Sequence, residues 1–429
     1  MPKYKKPSAK IFYFLCSMQL TRLIPFFFLC TSIALNGCFW AETEDNPEYL
    51  PMDDSEYPYA GIPRVVIETE DYARIRDRET EHRSHFQIYG ESEPESEVLS
   101  LNIRGRGNSS FKMPKFGMKL EFDEKVSLFG MPENRDWALI GNFGDKTHLR
   151  NYMAFRLSEW LGASYTPKVH FVELYLNREY KGLYLLAETI KVSKNRVNIP
   201  KNDSSFLFEK EGEKKYDDPY IVTQWNNIFH VKSPKNLSES SKEMLLDHLN
   251  DFEYYLNNSG WKKSSASKWL DIKAYALFYW IQEYSKNEDG NFSRSIYMTW
   301  EKGGPIKFGP VWDFDLGFGN ESRDDVKPSS AWYIRNYNWN AKIFWIPDVK
   351  EQMTDYWNEN KEKFRALIDS VPVYRAIIEK ALKNEYKRWP VIRNTENWAL
   401  KDPYDSYDEA VEYMIQWMKE RYDWIEGHL

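Results

Sequence analysis

Cysteine is nearly absent from this chain: three occur in 429 residues, at positions 16, 30 and 38, and none follows Cys38. The body beyond that point forms no disulfide and offers no thiolate, so packing alone holds it together. Positive charge is also short. The formal net charge is −7, and residues 1–38 contribute Lys3, Lys5, Lys6, Lys10 and Arg22 with no acid, which leaves −7 − 5 = −12 for the remainder. A binder of phosphate backbones presents a basic stripe, so nucleic acid is not an expected partner. No internal repeat of fixed period is present, which excludes solenoids and propellers. What is there is apolar and aromatic: 42% hydrophobic residues and 17% aromatic ones, with 17 Trp and 29 Tyr, the composition of a globular protein with a well-filled core. The length suits one catalytic body of two lobes.

Residues 1–38 read as an export signal: a basic start, the apolar run "LIPFFFLCTSIAL", then small and polar residues up to Cys38. The ending "LNGC" is similar to a bacterial lipobox, whose cysteine is lipidated and becomes the first mature residue; Asn36 is an unusual choice there. The competing reading is an uncleaved anchor, because the apolar stretches from Ile11 to Leu35 approach the roughly 20 residues that span a bilayer. Both place the protein outside the cytoplasm, tethered to the membrane of a bacterial cell envelope. Residues 39–61 are acidic and proline-containing and read as a flexible tether.

From Ile62 the runs "RVVIETED", "HFQIYG" and "EVLSLNIRG" alternate as strands do. In "DKTHLRNYMAFRLSEWLG" the period becomes helical: Leu149, Tyr152, Met153, Leu157, Trp160 and Leu161 share a face, Asp145 or Thr147 caps the start and Gly162 ends it. "VHFVELYLNREYKGLYLLAETI" predicts a hairpin turning at "NREYKG", with Val172, Leu174 and Leu176 on one face. Helical patterns dominate from Ser240 onward. The expected fold class is α+β, with a β-rich lobe over about 62–232 and a mostly helical lobe over about 233–429.

Three stretches carry chemistry. In "GPVWDFDLGFGN" Asp313 and Asp315 stand at i and i+2; on an extended segment both carboxylates point to one side and hold a hard cation such as Mg²⁺. An isolated pair of this kind is more often a turn cap and a solvated acid, so other features must tip the balance. "YSKNEDGN" ends an apolar helix with a polar cluster around Asp289, which alone is capping material. An acid after a core helix, followed by a strand pair ending in "DFD", nevertheless has the layout of a phosphotransferase lower lobe, where one aspartate orients the acceptor hydroxyl and a later one holds the metal. In "IRGRGNSSFKMPKFGMKLEF" free backbone amides near Gly105 and Gly107 can cradle phosphate, with Arg106 and Asn108 beside them and Lys115 or Lys119 to neutralise the charge. The alternative there is a tight hairpin with solvated lysines.

Taken in order, "RGRGNSS", "PKFGMKL", "LRNYMAFRLSEWLG", "VELYLNREYKGLYLLAETI", "SKNEDGN", "GPVWDFDLGFGN" and the final "RYDWI" resemble the blocks of the CotH kinase family, from about Ile62 to the C-terminus. The resemblance implies an atypical two-lobed protein-kinase-like fold that binds ATP with Mg²⁺ (or Mn²⁺) and phosphorylates serine or threonine hydroxyls of a partner protein. It implies Asp289 as the catalytic-loop aspartate, Asp313 and Asp315 on metal, Lys119 on phosphate with Lys115 as its rival, and Glu188 near the lobe junction. Ordinary kinase signatures are missing: no complete glycine-rich loop, no V-A-I-K, no H-R-D, and "DFD" in place of D-F-G. Little ATP surrounds a surface lipoprotein, so the alternative is a non-catalytic adhesion or envelope-assembly module built on the same fold. Glycan hydrolysis needs two acids across a sugar cleft, and no sequence feature singles out such a pair.

Overall fold

The computed structural model describes residues 52, 54–214, 219–258, 265–394 and 404–429. The export signal, Cys38 and most of the tether lie outside the described residues. Among those described, no helix is long and apolar enough to cross a membrane.

Seven strands close into a barrel: β1 (Arg64–Thr69), β2 (His82–Tyr89), β3 (Leu99–Arg106), β4 (Gly117–Val126), β5 (Asn134–Ile140), β6 (Val169–Leu176) and β7 (Glu179–Glu188), in the order β1-β2-β3-β4-β5-β7-β6. Closure comes from a parallel pairing of β1 with β6, the other neighbours being antiparallel. Alternation puts Leu101 and Ile103, Met118, Leu120 and Phe122, and Val172, Leu174 and Leu176 together in the barrel interior, where each fully buried side chain contributes about 2 kcal/mol. The β6–β7 turn is tighter than "NREYKG". Only Asn177 and Arg178 lie between the strands, both with positive φ (53° and 65°), the pattern of a type I′ turn whose twist suits a hairpin.

Helix α1 (Arg150–Trp160) follows β5; Asp145 accepts the Arg150 amide at 2.9 Å at its start, and Gly162, at φ +80°, follows its end. A second sheet holds β8 (Ser205–Glu211), β9 (Tyr220–Val222), β10 (Ile228–Ser233), β11 (Ile296–Glu301) and β12 (Lys307–Phe308), ordered β12-β11-β8-β10-β9. The expected boundary near residue 232 therefore falls inside this sheet, because β8 pairs with β10 on one edge and with β11 on the other. Around it stand α2 (Glu239–Asn257), α3 (Ile272–Ser285), α4 (Asn340–Ile343), α5 (Pro347–Arg388) and α6 (Tyr407–Glu426). Helix α3 is buried along most of its length, and its rings, including Trp280 and Tyr284, join those of α5 and α6 in the main core. Helix α5 also reaches the barrel: Glu385 accepts from Lys115 Nζ at 2.6 Å and from the Leu183 amide at 2.7 Å.

Candidate active site

A cleft of about 1110 Å³ opens where the ends of β3 and β4 and the loop after β5 face β8, β11 and the segments carrying Asp289 and Asp313. Its lining carries both charges. Arg104, Arg106, Lys232 and Arg294 stand among Glu81, Glu209, Glu211, Asp289, Asp313 and Asp315, with backbone from Gly105 to Ser110 at the end of β3.

The segment holding Asp313 and Asp315 is not the extended strand expected from the i, i+2 spacing. Asp313 has φ 64°, in the left-handed region that a non-glycine residue avoids unless its surroundings impose it. Three asparagines do so. Asn287 Nδ2 donates to the Asp313 carbonyl at 3.0 Å, Asn151 Oδ1 accepts the Phe314 amide at 2.7 Å, and Asn320 Nδ2 donates to the Asp315 carbonyl. Arg150 adds a hydrogen bond to the Gly317 carbonyl at 3.0 Å. The two carboxylates still interact electrostatically, although no strand alternation aligns them. Burial pushes the Asp313 carboxyl up, against the pull of Arg106. Burial and then the charges of Asp313 and Asp289 push Asp315 well above the usual carboxylate range.

Asp289 opens a single 3-10 turn (Asp289–Asn291) after α3, which ends where Lys286 takes a left-handed conformation at φ 43°. Its carboxylate stands 3.5 Å from Arg294. Burial first and Asp313 second raise its pKa well above the ordinary value, with Arg294 opposing. Asp289, Asp313 and Asp315 thus form one electrostatically coupled acidic group on the cleft wall.

The cationic residues are arranged otherwise than their sequence order suggests. Arg106 lines the cleft, its guanidinium 4.8 Å from the centre of the Trp312 ring and within electrostatic reach of Asp313. Asn108 also lines it and accepts from Arg78 at 3.1 Å. The Gly105 amide is not free for phosphate: it donates to the Asp77 carbonyl at 3.1 Å, and a Cβ there would meet the Phe111 ring at 2.2 Å, so this glycine serves packing. Lys119 does not line the cleft. It shares a side of β4 with cleft-lining Gly117, but two residues further along the strand it pairs with Glu121 and, at 3.5 Å, with Asp136. Lys115 borders the cleft, yet its buried ammonium turns to Glu385 and to the Leu183 carbonyl, each at 2.6 Å. Burial lowers its pKa, and Glu385 opposes that shift. Glu188 lies away from the cleft lining, accepting from the Lys168 amide at 3.0 Å and from Tyr165 at 3.2 Å, with Arg196 at 3.6 Å.

Sequence reasoning missed Asn151, Asn320, Arg294 and Glu209. Asn151 and Asn320 stand inside the quoted blocks "LRNYMAF" and "GFGN", but their work is on backbone brought close only by folding. Glu209 lines the cleft, with the Lys232 ammonium 2.9 Å from its carboxylate.

Among the described residues, no group of three or more His, Cys, Asp or Glu side chains forms a metal site by itself. The Asp313–Asp315 pair nevertheless fits a hard divalent cation. Two half-buried carboxylates whose charges repel each other are eased by a proton or a cation between them, and Mg²⁺ commonly takes one or two carboxylates and fills its shell with water and phosphate oxygens. The cleft opposite the pair has room for those phosphates.

No curated protein matches this chain. A family model described as CotH kinase protein matches residues 103–425, a span that contains Arg106 and all three cleft aspartates, and the chain is therefore a kinase-like member of the CotH family.

Proposed function

We propose that the cleft binds ATP with Mg²⁺ or Mn²⁺ and transfers the γ-phosphoryl group to a serine or threonine hydroxyl of a partner protein. In this reading the barrel is the upper lobe of a two-lobed kinase-like body and the sheet and helices are the lower one. The observation that carries it is the cluster of Asp313, Asp315 and Asp289 in one cleft with Arg106. Asp313 and Asp315 hold the cation, which neutralises phosphate charge during transfer. Arg106, steadied on Trp312, binds phosphate oxygens beside them. Asp289 accepts the hydrogen bond of the acceptor hydroxyl and orients it, and its raised pKa suits a group that takes a proton as the bond to phosphorus forms. Catalysis here is positioning and charge neutralisation.

The test is calorimetric titration of Mg²⁺-ATP beside radiolabelled phosphate transfer. Asp313→Asn keeps the side-chain shape, removes a charge and is expected to abolish metal-dependent nucleotide binding. Asp289→Asn is expected to retain binding and lose turnover by about 100-fold or more, because it acts on the acceptor rather than on bound ATP. Wild-type affinity in Asp313→Asn would remove the metal role. A wild-type protein that binds no nucleotide would leave the fold as a non-catalytic envelope module. We further propose that Cys38 is lipidated after removal of residues 1–37, which tethers the protein outside the cytoplasm. Mass spectrometry of the membrane fraction should find a lipid-modified N-terminal Cys38, and an intact Met1 would disprove it.

A further inference from the structure

The cleft lining holds more cations than the proposed reaction uses, and they differ in how far they are already engaged. Arg78 donates to the Gly107 carbonyl at 2.9 Å, Arg104 to the Arg78 carbonyl, and Lys115 to Glu385 and the Leu183 carbonyl, while Lys232 stands 2.9 Å from Glu209. The guanidinium groups of Arg106 and Arg294 make no hydrogen bond among the described residues.

The fold fixes Arg294 beside Asp289. The amides of Ser293 and Arg294 both donate to the Asp289 carbonyl, at 3.2 and 3.4 Å, so the chain turns back and brings the acid and the cation together. Arg294 Nε stands 3.5 Å from Asp289 Oδ1, near enough for attraction and longer than a good hydrogen bond. The Arg294 side chain is 43% exposed, and its Nη2 lies beside Gly212, which has no side chain to cover it; a Cβ there would be 3.7 Å away. A guanidinium that lines a cleft, stays open to solvent and lacks an acceptor is suited to take an anion through two parallel N–H donors.

Its reach indicates which anion. Arg106 and Arg294 are both among the main charges acting on Asp313, but only Arg294 is among those acting on Asp289. In the proposed reaction Asp313 holds the cation on the donor phosphates and Asp289 holds the acceptor hydroxyl. A group that serves both aspartates stands where the phosphoryl group crosses from one to the other.

We infer that Arg294 is a further catalytic residue, a second phosphate-binding arginine that grips the terminal phosphoryl group of ATP as it passes to the acceptor. The inference rests on the ATP reading of the cleft. In transfer the acceptor oxygen bonds to the γ-phosphorus, and the bond from that phosphorus to the β–γ bridging oxygen breaks with its electron pair left on ADP. The hydroxyl proton passes to Asp289. Arg294 keeps its own proton and supplies charge and donors to the oxygens in transfer.

Calorimetric titration of the full chain with Mg²⁺-ADP, and with the Mg²⁺ complex of the non-hydrolysable imido analogue of ATP, tests this without turnover. Arg294→Ala should weaken the triphosphate by about tenfold or more and leave ADP within about twofold of wild type. Arg294→Lys keeps the charge without the fork and should recover part of the loss. Radiolabelled phosphate transfer should fall by about 100-fold in Arg294→Ala. The side chain is exposed and carries no hydrogen bond, so neither variant disturbs the fold. A triphosphate-over-ADP preference unchanged in Arg294→Ala, or an equal loss of both nucleotides, would overturn the inference while the ATP reading stands. A wild-type protein that binds neither nucleotide would overturn the reading and the inference together.

Discussion

Asp313 carries a left-handed backbone pinned by Asn287 and Asn151, distant in sequence, and burial together with Asp313 and Asp289 holds the Asp315 carboxyl well above its ordinary range. The same dependence separates Arg106 from Lys119. Their side chains leave adjacent strands, but Arg106 sits at the end of β3, on the cleft, while Lys119 is engaged with Glu121 and Asp136. Removing a charge-assisted contact to phosphate costs about 1.5–3 kcal/mol, so Arg106→Ala should weaken Mg²⁺-ATP binding by roughly 10- to 100-fold. Lys119→Ala should leave it near wild type. Calorimetric titration of the two variants checks the pair. A loss confined to Lys119→Ala would return the phosphate role to β4.

At the scale of elements, the contact that ties α5 to the barrel is a buried ion pair set against a glycine. Gly182, in β7, has φ +108°, and a Cβ there would lie 2.2 Å from Glu385 Oε2 and 3.2 Å from Trp389 Nε1. Glu385 has little room to retreat, because its two oxygens hold Lys115 and the Leu183 amide. Gly182→Ala therefore combines backbone strain with overpacking and should cost about 2 kcal/mol or more, read as a lower urea midpoint. Gly130→Ala, also at positive φ (72°) but with open space around the new methyl, should cost only the strain, about 1 kcal/mol. Equal losses in the two variants would show that the Glu385 contact is not the critical one.

For the whole molecule, acid sensitivity is expected to centre on His148, which lies before α1 and packs beside α5. Glu385 stands 3.6 Å from its ring, Tyr386 packs edge-on to it, and Lys115 and Asp145 also act on it electrostatically. Burial lowers its pKa from 6.5 to about 4, with Glu385 opposing and Lys115 adding to the shift. The folded imidazole therefore stays neutral where the unfolded one takes a proton. Its contribution is complete above pH 6.5 and is lost as pH falls from 6.5 to about 4, about 3 kcal/mol over that window. Urea midpoints at pH 7.5 and pH 5 should fall more for wild type than for His148→Asn, which tolerates the left-handed backbone (φ 58°) found there. The comparison with the variant matters because the raised carboxyls of Asp289, Asp313 and Asp315 shift stability in the opposite direction. Equal pH dependence in the two proteins would exclude His148 as the source.

Local pattern alone marked out most of the barrel strands, β5 excepted, because Leu101 and Ile103, or Val172, Leu174 and Leu176, alternate with the period of a pleated strand whose one face is buried. It also determined where α1 begins and ends, since Asp145 and Gly162 act on backbone within a few residues of themselves. The family was legible for the same reason: its blocks are contiguous stretches. Tertiary structure decided the rest. The joining of β8 to β11, the pinning of residues 313–315 by Asn151 and Asn287, and the capture of Lys115 by a glutamate 270 residues away depend on long-range contacts that leave no period in the chain. Sequence could therefore nominate a lysine for phosphate by its strand, but only the packing of α5 and the pairing of β4 with β5 determined which cations were already engaged and left Arg106 facing the aspartates.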